Sequence, residues 1–340
     1  MKSKKLSEQI IKTFKSNGFV LSEPDVLLDS EYIIQRSGEN FRRSMLTFEN
    51  EDGKVMCLRP DLTVASCVKF LEKKSKSKIY YSGQAYRRNN KKGSDLVNDQ
   101  LGIEILGSKN QLQDDFKVIK TILNSAEKIK SKNIQVKVGD IGLFKRLINS
   151  LDMPERWKLR LIRHFWRPKY FEELLERLEK NSDIDSVTFD TDKKRFYEMK
   201  KMEQGKVIAG RSIVEILKRF DKKIKDPRSF SEGKKIVKIL RSFLKINCKL
   251  PQLDAELLDF VNKNNLKKNI FKEFKSIQSL KKLNQEVIFI TNFGRDIEYY
   301  TGIVFEIFAG KKEIARGGRY DDLLKSLGAK KDIPAVGAAI

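Results

Sequence analysis

Gln100-Leu101-Gly102-Ile103-Glu104 alternates polar with apolar residues, so that Gln100, Gly102 and Glu104 share one face of an extended chain. A carboxylate set into a strand pattern is costly to bury unless a partner or ligand meets it. Upstream, short β runs cover 45–48, 55–58 and 79–85, and the run 101–106 continues the quoted stretch. Turn signals separate them, among them Glu51-Asp52-Gly53 and Lys92-Gly93-Ser94. Before them, 5–17 has helical spacing and ends at Asn17-Gly18, and 19–21 is extended ahead of Pro24. Downstream, 114–130 is a helix with Phe116, Ile119, Ile122 and Leu123 on one side, followed by a strand at 134–138 and a helix at 141–151.

From 152 to 285 the β signal nearly vanishes, and 157–163, 170–178, 212–220, 233–243 and 254–266 carry helical spacing. Strands return at 287–291, 300–308 and 313–315, a short helix covers 321–327, and the chain runs out in Pro334 to Ile340. Strands on both sides of a helical stretch predict an α+β fold, a mostly antiparallel sheet flanked by helices and interrupted by an insertion. The expected division is 1–151 for the first part of the core, 152–285 for the mainly helical insertion and connection, and 286–340 for the return to the core.

At roughly 150 residues per domain, 340 residues suffice for a sizeable core. Lys+Arg 70 against Asp+Glu 46 leaves a net charge of +24, and 40% hydrophobic residues exclude global disorder. The lysines are scattered with acids among them, so the charge fits either plain solvation or a polyanion-binding surface. Cys57, Cys67 and Cys248 form no C-x-x-C and no disulfide framework, and are expected as reduced thiols in a cytoplasmic protein. His164, the single histidine, has no cysteine pair near it, which argues against a zinc site and against any Ser-His or Cys-His nucleophile. It reads as a packed residue beside Phe165 and Trp166. The N-terminal stretch has no unbroken apolar run and is neither a signal peptide nor a membrane span.

Four charged stretches stand in or beside strand patterns. They are Arg59-Pro60-Asp61-Leu62-Thr63, Tyr86-Arg87-Arg88, the Gln100–Glu104 stretch, and Gly294-Arg295-Asp296-Ile297-Glu298-Tyr299-Tyr300. A zwitterionic amino acid needs an acid for its amine and an arginine or amide for its carboxylate, which this inventory supplies; ion pairs along a sheet would use the same residues. Gly317-Gly318 reads as a tight turn in preference to backbone contact with a ligand.

Together these stretches resemble the catalytic core of the histidyl-tRNA synthetases, which are class II aminoacyl-tRNA synthetases, and more closely that of their paralogues, the regulatory subunits of ATP phosphoribosyltransferase. Arg59 to Thr63 resembles R-P-E-G-T, Tyr81 to Arg87 the motif 2 arginine strand, and Gln100 to Glu104 Q-x-G-x-E. Arg295 to Phe305 resembles R-G-L-D-Y-Y-x-x-x-V-F, and Gly317 to Asp321 G-G-R-Y-D. The resemblance covers the first helix to about residue 150 and 287 to the end. It implies a histidine pocket in which Asp61, Thr63 and Gln100 meet the α-amino group, Arg87 and Arg295 the carboxylate, and Glu104, Tyr300 and Tyr320 the imidazole edge.

The departures favour the paralogue. Asn89 stands where the synthetase pattern has an acid for adenine, Ser94-Asp95-Leu96 lacks the usual second arginine, and Asp61 and Leu62 replace Glu and Gly. The chain also ends at Ile340, before the helix whose arginine would hold the ATP γ-phosphate. The resemblance therefore implies a non-catalytic subunit, with no cofactor and no metal, that joins a short-form ATP phosphoribosyltransferase catalytic subunit, supports its activity and transmits feedback inhibition by histidine in the first step of histidine biosynthesis. A homodimer within the hetero-oligomer is expected through the segment around Pro24, where Val20, Leu21, Val26, Leu27 and Leu28 cluster. The alternatives are a divergent or truncated histidyl-tRNA synthetase and a module that binds RNA through its basic surface.

Overall fold

The alternating segments assemble into one sheet, nine-stranded among the described residues, in the order β1-β5-β6-β14-β13-β12-β7-β11-β10. The strands are β1 Val20–Leu21, β5 Lys78–Tyr86, β6 Val97–Leu106, β7 Ile134–Asp140, β10 Asn247–Lys249, β11 Glu286–Ile290, β12 Ile303–Ala309, β13 Lys312–Arg319 and β14 Ala335–Ala339. Pairing is antiparallel except between β1 and β5 and between β7 and β11. A smaller sheet joins β2 Leu27–Asp29, β4 Val55–Leu58 and β3 Leu46–Glu49, and β8 Val207–Ile208 pairs with β9 Arg211–Ser212. The computed structural model describes residues 2–34, 44–73, 77–88, 96–129, 133–180, 186–201, 207–208, 211–224, 230–271, 275–294 and 299–340. The α+β class read from the sequence, with a mostly antiparallel sheet flanked by helices, is the one observed.

Directly opposed residues of antiparallel strands point to the same side, so the register defines two chemically different faces. One transverse row runs Tyr80, Ile103, Ala338, Gly317, Phe305 and Val138. This row is apolar and buried, and it belongs to the core packed under the helices Lys2–Ser16 and Gln111–Ala126, where Phe14 meets Tyr80 at 6.1 Å between ring centroids. On the opposite face the neighbouring rows run Ile79, Glu104, Gly337, Gly318, Val304 and Gly139, and Tyr81, Gly102, Ala339, Arg316, Glu306 and Lys137. Polar side chains and glycines thus occupy the face away from the helical core.

Two features differ from the sequence reading. The segment after Pro334, assigned no element there, is β14, an interior strand between β6 and β13. Ala335-Val336-Gly337-Ala338-Ala339 has few β-branched residues, so its pairing comes from tertiary packing and not from propensity. Gly317 and Gly318 lie within β13 and form no turn. A β-carbon on Gly317 would overlap Ala338, so the glycine lets β13 and β14 pack closely.

The chain divides into two compact units. The first comprises Met1–Gly142, Asn247–Glu256 and Glu273–Ile340 and contains the large sheet; the second comprises Leu143–Ile246 and Leu257–Lys272. The second unit is mainly helical, with Glu155–His164, Pro168–Lys180, Ser186–Lys200, Ile213–Ile224 and Phe230–Phe243. Its core includes Phe144 stacked on Phe165 at 3.8 Å, with Phe171 edge-on, and a second cluster of Phe243, Phe260 and Phe271. His164 packs edge-on against Tyr170 at 4.9 Å.

Candidate functional site

The polar face of the large sheet carries a layer of side chains lying flat over glycines. The Glu104 carboxylate lies over Gly337 and the Tyr81 ring over Gly102, where in each case a β-carbon would overlap the side chain. The Tyr300 ring lies over Gly318, and the Arg59 guanidinium over Gly83; β-carbons there would stand 2.8 and 2.7 Å from the nearest atom of the side chain. The backbone thereby brings functional groups closer to the sheet than any other residue type would allow.

Glu104 is the centre of this layer and is fully buried. Its Oε1 accepts from Thr63 Oγ1 at 2.7 Å and from the Tyr81 hydroxyl at 3.1 Å, and its Oε2 accepts from the Tyr320 hydroxyl. Burial nevertheless raises its carboxyl pKa to about 7; the hydrogen bonds from Tyr320, Thr63 and Tyr81 oppose the shift, and the nearby Asp61 charge adds to it. A carboxyl group at this pKa exchanges its proton near neutrality, and its state responds to any cationic or N–H-bearing group brought against it.

Thr63 is delivered by the helix Leu62–Lys73, and Asp61 fixes where that helix starts. Asp61 Oδ1 accepts the Val64 N–H at 2.7 Å, the bond of an N-cap residue. Its carboxyl pKa is raised by burial, against the opposing charge of Arg87. Arg87 Nε donates to the Pro60 carbonyl, which ties the end of β5 to the approach of the helix. Arg59 is buried and donates to the carbonyls of Gln84, at 2.8 Å, and Pro24. Gln100 lies opposite Gly83 on the polar face and is half-buried.

Tyr320 follows β13 directly and is held from both sides. Its N–H donates to Ala335 O at 2.8 Å. The preceding Arg319 is buried and pairs with Asp115 of the helix Gln111–Ala126 at 2.6 Å and with Asp321 at 2.8 Å. Asp321 in turn accepts the Ala335 N–H at 3.0 Å. Tyr300 is buried beside Tyr299, with ring centroids 5.1 Å apart, and Tyr299 packs edge-on against Tyr320 at 5.7 Å. Burial pushes the hydroxyl pKa values of Tyr81, Tyr299, Tyr300 and Tyr320 upward, so these groups are neutral donors at ordinary pH.

Of the residues singled out in the sequence, Thr63, Glu104 and Tyr320 are therefore joined by hydrogen bonds. Asp61, Arg87, Gln100 and Tyr300 lie on or beside the same face. Arg295 and Asn89 lie outside the described residues. Sequence reasoning assigned no role to Tyr81, Tyr299 or Gly337. Nothing in the sequence around Tyr81 marks its hydroxyl, since its place opposite Gly102 comes only from the pairing of β5 with β6. Among the described residues, no group of three or more His, Cys, Asp or Glu side chains could hold a metal ion, and no helix is long and apolar enough to cross a membrane.

The family model for histidyl-tRNA synthetase matches residues 1–340. An ATP phosphoribosyltransferase regulatory subunit from Mesorhizobium japonicum is 28% identical, over 98% of this chain and 95% of the relative. One from Agrobacterium fabrum is 29% identical, over 93% and 89%. Among solved structures, an ATP phosphoribosyltransferase regulatory subunit/histidyl-tRNA synthetase from Bacillus halodurans superposes with a TM-score of 0.58 at 16% identity, covering 100% of this chain and 78% of that one. A histidyl-tRNA synthetase from Nostoc gives 0.60 at 16% identity, over 98% and 68%. These likenesses establish the fold.

Proposed function

The chain belongs to the histidyl-tRNA synthetase family, and on that premise we propose that it is a non-catalytic regulatory subunit of ATP phosphoribosyltransferase that binds histidine on the glycine-floored face around Glu104. In this reading Glu104, Tyr300 and Tyr320 receive the imidazole edge, Asp61, Thr63 and Gln100 the α-amino group, and Arg87 with Arg295 the carboxylate. The observation that carries the reading is the buried Glu104 carboxyl with three hydroxyl groups converging on it. Such a group discriminates strongly, because a ring lacking the matching N–H leaves it poorly paired in a dry site.

Regulation requires two states of the assembly and a histidine affinity that differs between them; the shift cannot exceed that difference. The sequence departs from the synthetase pattern at the residue expected to hold adenine, Asn89, which favours a binding role over adenylation. The partner in this reading is a short-form catalytic chain in the cytoplasm, which holds the phosphoribosyl transfer site. A homodimer within the complex is supported by the exposed apolar side chains Val20, Leu21, Val26 and Leu27; Leu28 is buried.

Co-expression with a short-form catalytic chain tests the proposal. The expected result is co-purification, stimulation of phosphoribosyl transfer and inhibition of that stimulated activity by histidine. Histidine-dependent ATP–pyrophosphate exchange by the isolated chain, without stimulation of the transferase, would instead support a divergent synthetase.

A further inference from the structure

In the pairing of β5 with β6, Tyr81 stands directly opposite Gly102, and Glu104 lies two residues further along β6 on the same face. Two residues of strand span roughly 7 Å, a distance that a phenol covers only by lying along the neighbouring strand. Gly102 leaves the room for it, since a β-carbon there would fall 2.3 Å from both Cζ and the hydroxyl oxygen of Tyr81. The ring is buried in one cluster with Leu62 and Ala85. Its hydroxyl ends 3.1 Å from Glu104 Oε1 and 3.3 Å from Thr63 Oγ1.

These three oxygens form a closed triangle, because Thr63 Oγ1 also lies 2.7 Å from Glu104 Oε1. Each hydroxyl carries one proton. With its proton directed at Glu104, Thr63 turns only lone pairs toward any further group, which is the polarity an ammonium requires. Thr63 belongs to the helix Leu62–Lys73 and Glu104 to β6, so the Tyr81 hydroxyl is an anchor from a third element, β5, on the hydrogen bond that joins them.

Around Glu104 stand Asp61 and Cys67 from the helix Leu62–Lys73 and its N-cap, Tyr81 from β5, Tyr320 after β13, and Tyr299 and Tyr300 ahead of β12. Burial raises the Cys67 thiol and the four phenols above their ordinary values, so all five are neutral near pH 7. Asp61, also raised by burial, accepts the Val64 N–H and faces the charge of Arg87. Tyr81 thus acts on Glu104 as a neutral donor, and its bond favours the carboxylate over the carboxylic acid.

We propose that Tyr81 is a positioning residue for ligand recognition, whose hydroxyl holds the Glu104 carboxylate and the Thr63 hydroxyl at a fixed separation so that the two ends of one ligand are read together, a role that rests on the histidine reading above. Gly102 has its part in this role as the slot in which the Tyr81 ring lies.

Tyr81→Phe keeps the ring and removes the hydroxyl. The full-length chain, this variant, Glu104→Gln and the double variant are compared by histidine calorimetry and by melting temperature from pH 5 to pH 9. Tyr81→Phe is expected to bind histidine about three- to tenfold more weakly, the usual effect of one lost buried hydrogen bond. With Glu104 raised by burial to about 7, stability falls as pH rises to that value and then levels off. In Tyr81→Phe the levelling should come at higher pH, because the carboxylate has lost a donor. That displacement should vanish when Tyr81→Phe is added to Glu104→Gln, which a packing defect would not bring about. Unchanged affinity or an unmoved plateau in the folded variant overturns the inference and leaves the histidine reading standing. If Tyr81→Phe does not fold, 3-fluorotyrosine at position 81, a more acidic phenol of nearly the same shape, should bring the levelling to lower pH, and an unmoved plateau overturns the inference. A wild type without histidine affinity removes the histidine reading, and this inference with it.

Discussion

The carboxylate of Glu104 lies over the backbone of Gly337, and a β-carbon at residue 337 would fall within the space that the carboxylate occupies. The two residues are also direct partners in the β6–β14 register. The position of the most buried acid on the polar face therefore depends on the absence of a side chain on the next strand. Gly337→Ala forces Glu104 off its hydrogen bonds with Thr63, Tyr81 and Tyr320 or pushes β14 away. A loss of about 1–3 kcal/mol of stability is expected from overpacking, together with weaker histidine binding. Urea denaturation and calorimetry check it; unchanged midpoint and affinity would refute this account of the site.

Burial raises Glu104 to about 7, above the ordinary 4.5 of its side chain. Between those values the folded protein binds more proton than the unfolded chain, so stability falls as pH rises through roughly 4.5 to 7 and levels off above. The full difference corresponds to about 3 kcal/mol, as an order of magnitude. Glu104→Gln removes this dependence. Melting temperatures of wild type and variant, followed from pH 5 to pH 8, should converge or cross as the wild type loses stability; parallel curves would show that Glu104 does not titrate in this range.

The same substitution bears on recognition. An uncharged amide in place of Glu104 keeps the shape of the side chain and would weaken the charge-assisted contact with an imidazole N–H that the proposed pocket requires. Histidine affinity is expected to fall by about 1–3 kcal/mol in a folded protein. Equal calorimetric affinities would place the ligand elsewhere.

The strand alternation that puts Gln100, Gly102 and Glu104 on one face was legible, because a period of two is a property of the backbone and needs no partner. Thr63 was legible as a hydroxyl just after a strand, but the capping bond of Asp61 was not separated from a ligand role, although Asp61-Leu62-Thr63-Val64 has the form of a helix start. β14 was not legible. Its alanines and glycine have weak strand preference, and they are selected by the neighbours they must clear: Glu104 over Gly337, and Gly317 against Ala338. Tyr81 was read only as the start of the stretch that resembles the motif 2 arginine strand, because nothing local shows that its hydroxyl reaches across Gly102 to Glu104.

Arg319 and Asp115 form a buried pair, each with a side-chain exposure of 1%, between the end of β13 and the helix Gln111–Ala126. Arg319 immediately precedes Tyr320, so the pair fixes the hydroxyl that meets Glu104 Oε2. Asp115→Ala leaves a guanidinium with Asp321 as its remaining carboxylate partner and is expected to cost about 3–5 kcal/mol. Histidine affinity should fall in any fraction that stays folded, as Tyr320 loses its anchor. Denaturant unfolding measures the first effect; a change under 1 kcal/mol, on the order of a surface pair, would contradict it.

The small sheet supplies the last test. Its register sets Leu27, Leu58 and Leu46 in one row and Asp29, Met56 and Phe48 in the next, all on one side. Leu27 is 50% and Phe48 42% exposed, while Leu28 and Cys57 on the other side are buried. A mostly apolar sheet face of this kind, continuous in sequence with exposed Val26, suits a self-complementary contact about a two-fold axis. Leu27→Asp places two like charges near each other across such an axis and should convert a dimer to monomers in sedimentation at micromolar concentration, with histidine affinity retained. A wild type that sediments as a monomer both alone and with the catalytic chain would remove the dimer. A monomeric Leu27→Asp variant that stimulates the transferase fully would show that assembly through this face is not needed for regulation.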